Sequence, residues 1–145
     1  MNFNITFRSL DGRRLSFAKG QVNINNNSTI TNVSKDGAKM NVGFVFSCNY
    51  EPNIGVVRIE GDLSVEDTQE IIDKAMAEWD SSGQSNLPKE VAERVHNAIL
   101  SNCIVEASIL ARDLKLPVPM PLPTVALSKQ DTTINAGNVD TSYIR

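Results

Sequence analysis

Apolar and polar residues alternate through the first half of the chain and recur at helical spacing through the second. Phe3, Ile5 and Phe7 alternate with polar neighbours, the period of a half-buried strand. Asp11-Gly12 then predicts a hairpin turn, and Leu15 and Phe17 begin the next strand. Val22 and Ile24 lead into "NNNST", and Ile30 and Val33 predict a further short strand. Lys35-Asp36-Gly37 is a second turn signal. In the clearest run, Met40, Val42, Phe44, Phe46, Cys48 and Tyr50 share one face. Glu51-Pro52-Asn53 turns the chain, and "IGVVRIEGDLSV" returns with Val57, Ile59, Gly61, Leu63 and Val65 on one face. Strands joined by short turns predict an antiparallel meander.

Asp67, with Glu70 three residues later, resembles a capping box. Ile71, Ile72, Ala75, Met76 and Trp79 follow at helical spacing, and "DSSGQSN" breaks the pattern. Pro88 suits the first turn of a second helix, where its missing N–H costs nothing. That helix is predicted from about residue 88 to about residue 114, some ~40 Å long. The prolines of "LPVPMPLP", residues 116 to 123, stop it. The expected fold class is α+β: an antiparallel sheet meander, a short helix, one long helix packed on the sheet, and an extended proline strip. These form one domain over residues 1 to 127. Residues 128 to 145 are polar and aperiodic and are expected to be a flexible tail.

The long helix is apolar on more sides than a sheet can cover. Glu90, Asn97, Ser101, Ser108 and Lys115, with Arg94 and Arg112 beside them, make a narrow polar sector. The rest must be covered by the first helix, the proline strip or a second subunit. Asn102, Glu106 and Asp113 interrupt the apolar region. Two readings stand open: a wetter rim, or a polar seam inside a subunit interface that fixes register. The candidate oligomer interface is Val95, Leu100, Asn102, Ile104, Glu106, Ala107 and Ala111. In the proline strip, Val118, Met120 and Leu122 are expected to act as rigid apolar knobs. They would pack back on the domain, or alternatively fill an aromatic groove on another protein.

A chain of 145 residues suits a single domain with a real core. Net charge is −3, without the basic patch that nucleic-acid binding requires. No stretch reaches the roughly 20 apolar residues of a membrane span. The first residues lack the apolar core of a signal peptide, so a cytoplasmic location is expected, with Cys48 and Cys103 reduced.

No residue set points to catalysis. His96 is the only histidine and has no Ser or Cys in a recognisable nucleophile context. Cys48, His96 and Cys103 lack a fourth ligand at a zinc-like spacing. Glu66, Asp67, Glu70 and Asp73 at a helix start complement the helix dipole. The glycines are scattered and form no phosphate loop. The expectation is a binding protein, not an enzyme, with no metal or cofactor.

"FVFSCNYEPNIGVVRIEGDL" and "EVAERVHNAILSNCIVEASILARDLKLPVPMPLPTVAL", in that order, resemble the SecB-like export-chaperone family, including its archaeal members. The likeness spans about residues 40 to 127, and "LSFAKGQVNI" vaguely matches the family's first strand. It implies a four-stranded antiparallel sheet with the long helix on one face. It also implies a homo-oligomer, a dimer or tetramer, that holds unfolded or extended polypeptides in apolar grooves without ATP and serves protein transport. The chain departs from the family in having the extra helix around residues 67 to 79 and a polar tail where SecB carries a second helix. The alternative is a non-enzymatic scaffold subunit docking into one defined complex.

Overall fold

The computed structural model describes residues 1–17 and 20–119. Four strands, β1 (Asn2–Arg14), β2 (Asn23–Asp36), β3 (Lys39–Glu51) and β4 (Gly55–Glu66), precede two helices, α1 (Gln69–Ser81) and α2 (Lys89–Asp113). The strands form one antiparallel sheet in the order β1-β4-β3-β2. This is the expected α+β class, with both helices packed on one face of the sheet.

The connectivity corrects the meander in one respect. β2, β3 and β4 are hairpin-joined neighbours, but β1 lies beside β4, not β2. Asp11-Gly12 is not a turn; it continues β1, with Asp11 opposite Arg58 and Gly12 opposite Val57. Local turn propensity loses here to the pairing that β4 supplies. Gly12 lies under the helix layer, where a Cβ would come within 2.9 Å of the end of the Leu114 side chain. Leu15 and Phe17 begin no strand and are exposed. Beyond β1 the chain is held at the β3–β4 turn, where the Leu15 and Ser16 amides donate to the Ile54 carbonyl at 2.8 and 3.2 Å. The two short strands expected around Val22–Ile24 and Ile30–Val33 are one strand, β2, with a bulge at Thr31.

The helix-facing side of the sheet is the core. Met40, Val42, Phe44, Phe46, Cys48 and Tyr50 of β3 are buried, as are Val57, Ile59, Leu63 and Val65 of β4. The other face is polar: β2 carries Asn23, Asn25, Asn27 and Thr29 there, and β3 carries Asn41, Ser47 and Asn49. Opposite faces at successive residues follow from the strand's two-residue period.

Thr68, not Asp67, caps α1: its hydroxyl accepts from the Ile71 amide at 3.4 Å. Ile72, Ala75 and Trp79 bury one face of α1, and Lys35 of β2 clasps Asp73 at 2.9 Å.

Burial along α2 repeats every fourth residue. Val91, Val95, Ile99, Cys103, Ala107 and Ala111 face the sheet and are buried. Glu93, Asn97, Ser101, Val105 and Ile109 face outward and are exposed. A ridge of fourth residues is inclined to the helix axis by about 26°, so α2 crosses the twisted sheet obliquely. Near its start His96 bonds Ser28 of β2, and near its end Leu110 and Leu114 lie over Gly12 of β1.

Candidate functional site

The proline strip begins as soon as α2 ends. Lys115 takes a left-handed φ of 58°, and the Leu116 amide returns to the Ala111 carbonyl at 2.8 Å, closing the helix. Arg14 donates to the Leu114 carbonyl at 2.6 Å and also to the Lys115 carbonyl, placing a cation at the negative end of the helix dipole. The strip then crosses the sheet strand by strand. Leu116 fills the space left by Gly55 of β4, where a Cβ would meet its methyl groups at 3.0 and 3.1 Å. The Tyr50 hydroxyl of β3 donates to the Pro117 carbonyl at 2.7 Å. The Asn26 side-chain amide of β2 donates to the Pro119 carbonyl at 2.9 Å.

The strip therefore packs back on the domain, but through other residues than the alternation predicts. Leu116 and Pro119 are buried, whereas Val118 is 41% exposed. Leu116 and Pro119, three residues apart, turn to the domain, and Val118 between them turns to solvent. Met120 and Leu122 lie outside the described residues.

The seven residues of the expected oligomer interface do not form one surface. Val95, Ala107 and Ala111 face the sheet with no exposed area, so they present nothing to a second subunit. Leu100 and Ile104 lie half-buried on the flank of α2 shared with His96. Asn102 is exposed and Glu106 half-buried, on the opposite flank. There Asn102 closes back on its own helix, its amide donating to the Ala98 carbonyl at 2.7 Å.

Exposed apolar side chains stand elsewhere. Val105 and Ile109, 54% and 43% exposed, stand on the outward row of α2. Leu10 on β1, with Leu15 and Phe17 just beyond it, is also exposed. Arg14 bonds the end of α2 and lies 4.5 Å from the Phe17 ring centroid. Sequence periodicity missed this patch, because Leu15 and Phe17 read there as a strand. The signal available was Val105 and Ile109, four residues apart on a row otherwise polar.

The titratable groups are placed for structure. Ser28 Oγ and His96 Nδ1 lie 2.5 Å apart, half-buried between β2 and α2. Burial, reinforced by the Glu106 carboxylate, pushes the Cys103 thiol up to about 12, and burial raises Cys48 as well. A thiol so shifted stays protonated and is a poor nucleophile. Burial, with the Cys48 thiol beside it, also raises Tyr50, keeping its hydroxyl a donor for Pro117. An open depression between the starts of α1 and α2 is lined by Asp67, Lys74, Lys89, Glu90, Glu93 and Arg94, with both charge signs interleaved. Among the described residues no group of three or more His, Cys, Asp or Glu side chains is placed to hold a metal ion, and no helix is long and apolar enough to cross a membrane. No family model matches the chain, and neither does any curated protein or solved structure compared with it.

Proposed function

We propose that the protein is an ATP-independent, holdase-type chaperone of SecB-like character, binding unfolded or extended polypeptide through apolar surface. The observation that carries this reading is the exposure of large apolar side chains: Val105 and Ile109 on the outward row of α2, and Leu10, Leu15 and Phe17 on and beyond β1. The core beneath is complete without these side chains, so their exposure costs solubility and points to a binding role. Arg14, held against both the helix end and Phe17, adds a cation beside the apolar surface. Backbone carbonyls of an extended client can pair with such a group while its side chains meet the patch.

Self-association belongs to the same reading, on a surface other than the buried Val95, Ala107 and Ala111. Sedimentation at high micromolar concentration tests it: a dimer or tetramer agrees, a monomer does not. The second reading is a scaffold subunit docking into one complex. Light scattering separates the two. A holdase suppresses aggregation of several unrelated unfolded proteins at stoichiometric amounts. A scaffold subunit suppresses none and co-purifies with one partner.

A further inference from the structure

We infer that the seat of residues 117–119 is a second docking site for extended polypeptide, with the strip as its built-in, displaceable occupant and Asn26 as the residue that reads the incoming backbone. The inference rests on the chaperone reading for the kind of partner, and it names a site other than the exposed side chains that carry that reading. Past Leu116 the strip is held by its main chain. Tyr50 donates to the Pro117 carbonyl at 2.7 Å, and Asn26 donates to the Pro119 carbonyl at 2.9 Å. Pro117 and Val118 are exposed, and Pro119 is buried. Bonds to carbonyls ask for no particular side chain, since every residue carries a C=O. The two held carbonyls are two residues apart, and in an extended chain such residues direct their C=O groups to the same side. Any extended chain can therefore meet both donors. Helix α2 does not depend on the strip beyond Leu116, because the amides of Leu114, Lys115 and Leu116 close it. Residues 117–119 can lift while the helix stays in place.

The strip is an incomplete occupant, and Asn26 shows where. A side-chain amide offers both a donor and an acceptor. Asn26 spends its nitrogen on Pro119, while its Oδ1 is buried without a hydrogen-bond partner among the described residues. Among those residues no other buried side-chain nitrogen or oxygen is left so. In an extended backbone the N–H and C=O of one residue point to the same side, so a side-chain amide that donates to the C=O can accept from the N–H. Pro119 has no N–H to give. A chain with any other residue at that place makes both bonds and relieves the orphaned acceptor, which is costly to leave unpaired. The incoming chain thus gains a bond that the strip forgoes. The strip holds its place through its tether, which acts as an effective concentration on the order of millimolar. The partner so defined is an extended segment of unfolded polypeptide with a small or apolar, non-proline residue opposite Asn26.

The test is titration of the full chain with synthetic peptides, followed by nuclear magnetic resonance of the Asn26 side-chain amide. One peptide has the strip's own sequence, Leu-Lys-Leu-Pro-Val-Pro-Met. Another has alanine in place of its second proline. A third has N-methylalanine there, which keeps the alanine side chain and removes the N–H. The alanine peptide should bind about tenfold more tightly than the other two, and its binding should shift the Asn26 resonances. Asn26→Ala should bring all the peptides to equal affinity. In the full chain, Pro119→Ala lends the strip the missing donor and should weaken binding of the alanine peptide about tenfold. Equal affinity of the alanine and N-methylalanine peptides for the wild type overturns the proposal. So does a wild type that binds none of them at millimolar peptide. The wild-type comparison decides the matter even where Asn26→Ala disturbs the fold. A wild type that prefers the alanine peptide yet suppresses no aggregation keeps this site and removes the chaperone reading.

Discussion

The hydroxyl of Tyr50, a buried residue near the end of β3, donates a 2.7 Å hydrogen bond to the carbonyl of Pro117. This bond pins the proline strip to β3 midway between Leu116 over β4 and Pro119 at β2. Tyr50→Phe should lower unfolding free energy by about 1–2 kcal/mol, since the carbonyl loses its donor. Leu116→Ala should cost roughly 2–5 kcal/mol, the range for a buried leucine. Val118→Ala should cost about 0.5 kcal/mol or less, as for an exposed position. Urea unfolding of the three variants checks the order. Equal losses at Leu116 and Val118 would contradict the three-residue period of the strip.

High pH should destabilise the fold. Cys103, raised to about 12, keeps its proton in the folded state, while in the unfolded chain the thiol ionises around its ordinary 9.0. Between those values the unfolded state binds fewer protons than the native one, so stability falls as pH rises. Below about 9 the contribution is fully present. Cys48 acts in the same direction, and Tyr50 joins it above its ordinary 10.0. Unfolding midpoints measured from pH 7 upward should hold steady and then decline. Cys103→Ala should soften that decline, because it removes one of the shifted groups.

Ser28 and His96 are expected to be a structural pair. Ser28→Ala should cost about 1 kcal/mol of stability and leave client binding unchanged. Thermal melting and an aggregation assay on the same preparation check both halves. Loss of binding with unchanged melting would give the pair a direct functional role.

These expectations also mark what the sequence made legible. The period-two run of β3 was plain, because its even-numbered residues are apolar without exception from Met40 to Tyr50 and all are buried. The two helices were legible from their spacing and from the glycine and prolines between and after them. The place of β1 was not: Asp11-Gly12 has a strong local turn signal, and only β4, more than 40 residues later, overrides it. In the sequence β2 reads as two pieces because asparagine is a poor strand former. Its asparagines at 23, 25 and 27 are tolerated because they face solvent, while Asn26 turns inward to hold Pro119. In the candidate site, apolar residues on α2 could be counted but not divided between the sheet and solvent. The four-residue burial row that separates Ala107 from Val105 depends on how α2 crosses the sheet.

The exposed patch should tolerate charge without loss of fold. Val105→Asp and Ile109→Asp lie on the outward row of α2, so each should change stability by no more than about 0.5–1 kcal/mol. Val95→Asp, by contrast, buries a carboxylate against the sheet and should prevent folding. Circular dichroism through a thermal ramp distinguishes them.

The most direct measurement of the central claim is light scattering of several unrelated unfolded proteins diluted into buffer with the wild type or with the Val105→Asp/Ile109→Asp double variant. The wild type should suppress aggregation at stoichiometric amounts without ATP, and the double variant, folded and equally stable, should lose most of that suppression. A wild type that suppresses nothing, or a double variant as active as the wild type, would contradict it.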